Sequence, residues 1–368
     1  MNRREIFEQT VNFKGTKAKL TDFCGCPLSA ADDKILVRLN DFLGFGKRQT
    51  YFDERMLRHY DIDFRAAGYI MAPPKPYYKN LEEGKLYSDE WGIVRKNTGD
   101  YWDIVYSPLK DKSFDEIKKY PFPDIDSLDL NALRVQTQAA KKLYSDTDYV
   151  IVSSHPVYGI FEIACWMFGF DDFLYRMAAE PETVHMFFQR YLAYQKEISS
   201  IYYKKIGEYS HITTSGDDFA TQASTFTSKA MFDELIAPYF KERITYTKSL
   251  TKAKFLHHSC GNVSTLIPAL IDCGVDILNP IQPCDKLMQP ERLKAYGNKI
   301  VFHGGFDTQY YLPSCQPDEI ERQVKNLFEK FEGCGYIFAA AHNIQNDVPI
   351  ENLNAMLSAA QKYKNLYS

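Results

Sequence analysis

Phe255-Leu-His-His-Ser-Cys-Gly-Asn262 reads as the end of a short β-strand, Lys254 to His258, that runs into a polar cluster and breaks at Gly261. Side chains alternate across a strand, so His258 and Cys260, two apart, project to one face and converge at its C-terminal end. The same event recurs along the second half of the chain. Tyr149–Ser153 ends in Ser154-His155, His211–Ser215 in Gly216-Asp217-Asp218, and the strand Val275–Leu278 in Asn279. Lys299–Phe302 runs into His303–Asp307, and Gly335–Ala339 into His342-Asn343.

Helical patterns separate these strands. They cover Tyr158–Ile206 with breaks near Gly169 and Pro181, then Ser228–Lys252, Val263–Cys273, Pro290–Tyr296, Pro317–Phe331 and Ile350–Lys362. Strand and helix in alternation, with short connections, argue a parallel sheet covered by helices. Ala18–Phe23 reads as a first strand, and one more is needed near Asp61–Ile70, where the pattern is weak. The expected fold is α/β, a (β/α)8 TIM barrel in which the polar clusters share the C-terminal face. An open doubly wound sheet is the alternative. No Gly-rich loop follows the first strand, which argues against the nucleotide-binding versions.

Residues 1–368 are read as one barrel domain with an insertion at about 71–125. Ala72-Pro-Pro-Lys-Pro-Tyr-Tyr is loop-like. Tyr87–Arg95 and Tyr101–Tyr106 read as paired strands joined by Asn97-Thr-Gly-Asp100. This hairpin either covers substrate beside the barrel mouth or pairs two copies in a homodimer. The lysines of Lys241–Lys254 read as a solvated helix face.

Composition narrows the partners. The chain has 368 residues, 45% hydrophobic and 25% charged, in the range of a globular protein. Its net charge of −4 gives no footprint for nucleic acid. No apolar run reaches the roughly 18 residues of a membrane helix, and the start, Met1-Asn-Arg-Arg-Glu5, leads into no apolar signal core. The eight cysteines are scattered, unlike a secreted disulfide framework. A cytoplasmic protein is expected. Cys24-Gly-Cys26 is the one close cysteine pair and lacks a partner pair nearby to complete a metal site.

His258 and Cys260 form half of a zinc site, or else a buried histidine beside a structural thiol. Asp217 and Asp218, at a strand end, either support the metal ligands and substrate or cap a helix. His303 with Gly304-Gly305 permits close backbone approach at the mouth.

These motifs together resemble the uroporphyrinogen decarboxylase superfamily. The resemblance rests on His258-x-Cys-Gly-Asn262, Gly274-Val-Asp-Ile-Leu-Asn-Pro-Ile-Gln-Pro283, Phe302-His-Gly-Gly-Phe-Asp-Thr-Gln309 and Ala341-His-Asn-Ile-Gln-Asn-Asp-Val-Pro349. Asp89-Glu-Trp-Gly92, Phe161-Glu162 and Gly216-Asp-Asp-Phe219 extend it. It implies a (β/α)8 barrel and one of two chemistries: metal-free decarboxylation of uroporphyrinogen, or zinc-dependent methyl transfer to or from a corrinoid protein. The decarboxylases carry Arg-Gln-Ala-Gly-Arg near the N-terminus. This chain has Asp22-Phe-Cys-Gly-Cys-Pro-Leu28 in that region, without the arginines suited to carboxylates.

The resemblance therefore implies the methyltransferase branch, with His258 and Cys260 as zinc ligands and Glu162 as a further one. The further cysteine that this branch often supplies near the last barrel strand is absent from Ala339-Ala-Ala-His342. His342 either replaces it or serves as a catalytic group. Asp217 and His303 join it as catalytic candidates, and Asp218, Gln222, Asn279, Asp307 and Gln309 as substrate-binding ones. No cobalamin-binding Asp-x-His-x-x-Gly segment occurs, so a partner protein would carry the corrinoid. A metal-free decarboxylase working through His342 and Asp217 is the alternative.

Overall fold

The computed structural model describes residues 1–15, 18–50, 53–68, 82–99, 102–283 and 286–366. Eight strands form one parallel sheet in the order β1-β11-β10-β9-β8-β7-β6-β2. They are β1 (Leu20–Thr21), β2 (Phe64–Gly68), β6 (Val150–Ser154), β7 (Ile212–Gly216), β8 (Lys254–His258), β9 (Ile277–Ile281), β10 (Val301–Phe306) and β11 (Tyr336–Ala340). The two ends of the sheet meet where Asp63 N–H donates to the Thr21 carbonyl at 3.2 Å. This is a (β/α)8 barrel.

Alternation sorts each strand's residues. Leu20, Phe64, Val152, Ile212, Leu256, Ile277, Val301 and Ile337 form one apolar cluster inside the barrel. Phe7 and Val11 of the helix Arg3–Val11 join that cluster and plug the end opposite the mouth. Phe255 and Leu278, one residue out of phase, belong to the larger core between sheet and helices.

The same phase separates two adjacent histidines. His258 shares Leu256's face. His257 faces outward, fully buried, its ring 5.3 Å from that of Phe219 and 4.7 Å from that of Phe240. Among the described residues neither ring nitrogen makes a well-formed hydrogen bond, the Asp217 backbone being the one polar group that offsets its burial, and burial drives its pKa well below the ordinary value. A buried unsatisfied polar group costs roughly 1–3 kcal/mol. His257→Phe is therefore expected to keep the fold and raise the urea midpoint; a lower midpoint would mean this imidazole has a partner.

A second sheet, antiparallel, joins β3 (Leu86–Ser88), β4 (Val94–Asn97) and β5 (Trp102–Tyr106). The sequence suggested one strand over Tyr87–Arg95. Instead Asp89 accepts from the N–H groups of Trp91 and Ile93, folding that segment back at Gly92, and Trp91 packs against Phe122, Tyr191 and Tyr194. The Pro-rich stretch at 72–78 lies outside the described residues. No helix among the described residues is long and apolar enough to cross a membrane.

Two further boundaries differ. β9 continues through Asn279 and β10 through His303-Gly304-Gly305, so these residues lie within strands and not beyond them.

Candidate active site

At the mouth, ligand atoms of His258, Cys260 and His342 all lie within 4.8 Å of one another, and all three residues are partly exposed. His258 Nε2 is 3.2 Å from Cys260 Sγ. The backbone holds the thiol in place: Asp218 Oδ1 accepts from Cys260 N–H at 2.7 Å, and Gln282 Oε1 from Gly261 N–H at 2.7 Å. Gly261 has φ +82°, and a Cβ there would meet the Thr221 carbonyl oxygen at 2.3 Å, so this turn admits only glycine.

The donor set suits zinc. Imidazole and thiolate are both zinc ligands, and three protein ligands leave a fourth position open. Tetrahedral bonds of about 2.1 Å to nitrogen and 2.3 Å to sulfur put those atoms ~3.6 Å apart, close to the separation seen here. Asp218 Oδ1 lies 3.8 Å from His258 Nε2 and faces the same space.

Glu162, expected as a ligand, falls outside this group. It lines the adjoining cavity instead, about 530 Å³ between β5, the helix Phe161–Phe168 and the mouth. Phe161, Trp166, Phe170 and Phe226 form its apolar walls, with Glu162 and Asp218 on the polar side. Burial, and then the charges of Asp218 and Asp217, push the Glu162 carboxyl up to about 8. A raised acid favours the folded state below its unfolded pKa, and that advantage is lost as pH rises through the folded value. Metal-free protein is thus expected to lose stability between about pH 5 and pH 9, and Glu162→Gln to flatten the profile. Denaturation midpoints across that range test it; parallel profiles would place the carboxyl in a more polar setting.

Asp217 takes the capping position left open by the sequence. It is fully buried, and its carboxylate accepts from the N–H groups of Ile160, Phe161 and Glu162 at 2.8 to 2.9 Å. Gly159 makes room: a Cβ there would sit 2.0 Å from the Gly216 carbonyl oxygen and 2.1 Å from Asp217 Oδ1. Burial raises Asp217 to about 6, opposed by the Arg243 charge and these three N–H groups. With every contact directed at the helix, Asp217 carries Glu162 rather than protons.

Of the other expected residues, Asp307 and Gln309 line a small pocket with Gln282 and Ala341, Asn279 meets His258, and the rest lie apart. His303 is not at the mouth; its side chain and that of Asp22 are each 1% exposed, with Nε2 3.0 Å from Asp22 Oδ2. Asn279 joins the two histidines. It is β8's register partner of His258, and its side chain lies 2.6 Å from both His258 Nδ1 and His303 Nδ1. Asp307 Oδ1 accepts from the N–H groups of Gln309, Tyr310 and Tyr311, closing its own loop. Gln222 and Gln309 are exposed. His155 lies behind the sheet, hydrogen-bonded to Thr247 and the Val157 carbonyl. Asp22, with nothing but a two-residue strand before it, escaped the sequence reading, and Cys26, weighed there only with Cys24, has its thiol 3.0 Å from Asp22 Oδ2.

The family model for uroporphyrinogen decarboxylase (URO-D) matches residues 106–363. The chain belongs to the uroporphyrinogen decarboxylase family. Within it, the chain is similar to the uroporphyrinogen decarboxylase of Mannheimia succiniciproducens, 28% identical over 103 residues, 27% of each chain. It is also similar to that of Pseudoalteromonas atlantica, 33% identical over 72 residues, 19% of this chain and 20% of the other. These matches span about a quarter or less of the curated relatives' length. Among solved structures, a methyltransferase from Methanosarcina mazei superposes with a TM-score of 0.67 over 99% of both chains at 13% identity, so the family barrel is shared end to end.

Proposed function

We propose that this chain is a zinc-dependent methyltransferase. It moves a methyl group between a small methylated compound or thiol and the cobalt of a corrinoid carried by a separate protein. The observation that carries the reading is the convergence of His258 Nε2, Cys260 Sγ and a His342 ring nitrogen at the barrel mouth, beside an apolar-walled cavity. When bound, zinc supplies a centre that favours the thiolate form of a thiol or draws charge from an ether or amine. His258, Cys260 and His342 would hold it.

The chain's own groups do the rest. Asp218 and Gln282 fix the backbone on either side of the thiol. Phe161, Phe170 and Phe226 keep water from the methyl group's side of the cavity, and Asp217 anchors the helix that presents this wall. Glu162 and Asp218 line the cavity with acids, which suits a neutral or cationic substrate and opposes one bearing many carboxylates.

Cobalt(I) and methyl-cobalt(III) corrinoids differ in visible absorption. Zinc-loaded protein is expected to methylate or demethylate cobalamin with at least one member of a panel of thiols, methyl ethers and methylamines, and to leave uroporphyrinogen unchanged. Coproporphyrinogen formed at an enzymatic rate, with no corrinoid reaction, would replace this reading with the decarboxylase one.

A further inference from the structure

The hydrogen-bonded row that begins at His258 does not end at Asn279. It continues through His303 to Asp22, four side chains from β8, β9, β10 and, across β11, the end of β1, reaching from the mouth into the barrel's interior. Asp22 also accepts from Gly25 N–H at 3.1 Å and from the Cys26 thiol at 3.0 Å.

The direction of this row is fixed from its buried end. Asp22 is the accepting end of the row, since Gly25 N–H and the Cys26 thiol both donate to it. Facing it, His303 carries its hydrogen on Nε2, and its Nδ1, 2.6 Å from the Asn279 NH2, presents a lone pair. Only the NH2 of Asn279 can meet that lone pair. The Asn279 oxygen then points at His258 and takes a hydrogen from its Nδ1. His258 Nε2 is left bare, 3.2 Å from Cys260 Sγ. Turning the Asn279 amide over would set lone pair against lone pair at His303 and hydrogen against hydrogen at His258, or shift both imidazoles to the opposite tautomer and leave His303 Nε2 bare against Asp22.

We propose that Asp22 sets the tautomer of His258, through His303 and Asn279, so that Nε2 faces Cys260 and His342 as a ready metal-binding lone pair. Asp22 is a positioning residue and touches neither the metal-binding atoms nor the cavity. The inference deepens the zinc reading and takes its purpose from it, but the tautomer exists without metal. Which ring nitrogen is free on a metal-binding histidine is commonly set by what the other one bonds; here the control lies two side chains further away.

The test uses metal-free full-length protein labelled with 15N-histidine, the His258 signals being assigned by their loss in His258→Gln. The wild type is expected to show Nδ1–H and a bare Nε2. Asp22→Asn and His303→Phe should each populate the opposite tautomer and weaken zinc binding about 10- to 100-fold.

Asn279→Asp supplies the control that a merely structural role would fail. Its carboxylate accepts from both rings, so it holds His258 in the metal-binding tautomer whatever occupies position 22. Adding Asp22→Asn to that background should change neither tautomer nor affinity. Nε2–H in the wild type, an unaltered tautomer in both Asp22→Asn and His303→Phe, or equal damage by Asp22→Asn in either background would overturn the proposal. So would a second tight zinc equivalent lost with Asp22→Asn, since Asp22, Cys26 and His303 would then be ligands themselves. An Asp22-dependent tautomer in a protein that binds no zinc or transfers no methyl group would sustain the proposal and remove the methyltransferase reading.

Discussion

Zinc added to metal-free protein is expected to bind at one equivalent, and Cys260→Ser, His258→Ala and His342→Ala each to weaken it by more than about 100-fold, the upper end for loss of a supporting group. The three ligand atoms come from the ends of two separate strands, β8 and β11, brought within 4.8 Å by the barrel, so each removal leaves two ligands and the open position. Glu162→Gln is the discriminating variant. It should leave stoichiometry at one and affinity within about threefold, because Glu162 lies outside the trio; a loss matching Cys260→Ser would make it a ligand after all. Cobalt(II) in place of zinc gives a second readout, since a thiolate–cobalt charge-transfer band should be present in the wild type and absent in Cys260→Ser. All four variants are expected to keep the wild-type fold, the residues being at the mouth and not in the core.

The largest effect on stability is expected from one methyl group. Gly159→Ala would place a Cβ 2.0 Å from the Gly216 carbonyl oxygen and 2.1 Å from Asp217 Oδ1. Neither can retreat: the first belongs to β7, and the second is held by three N–H groups of the next helix. Displacing that helix strands a buried carboxylate, and the cost should be about 3 kcal/mol or more, read as a lower urea midpoint at unchanged slope. Gly44→Ala is the control. It has φ +71° and open space around its Cβ position, so its cost should be about 1 kcal/mol from the backbone alone. Equal losses would show that the crowding at Gly159 relaxes elsewhere.

The barrel was legible because its evidence is local. Lys254–His258 announces itself by alternation, and the helix breaks at Gly169 and Pro181 stand where glycine and proline put them. What escaped is non-local. His303-Gly304-Gly305 resembles a turn in sequence, yet parallel pairing with β11 carries β10 through it, register His303 to Ile337 and Gly305 to Ala339. Asp22 was invisible for a related reason. Its partner His303 is 281 residues away, and β1 is too short to show a period. Asp217 illustrates a third limit: a carboxylate at a strand end reads the same whether it meets a substrate or three peptide N–H groups. Only Gly159, whose missing side chain leaves the carboxylate its path, tells them apart.

The plug formed by Phe7 and Val11 has a kinetic corollary. With the barrel interior filled by its own side chains and its base closed, the described residues leave the mouth as the approach to the site. A macromolecule seated over that doorway obstructs the traffic of any small reactant. On the proposed reaction with a separate corrinoid protein, the two reactants are expected to come and go in sequence, the small one first to board and last to leave during each encounter. Excess of the large one should slow turnover by trapping or shutting out the small one, and the signature would be inhibition at high concentrations of the bulkier reactant only.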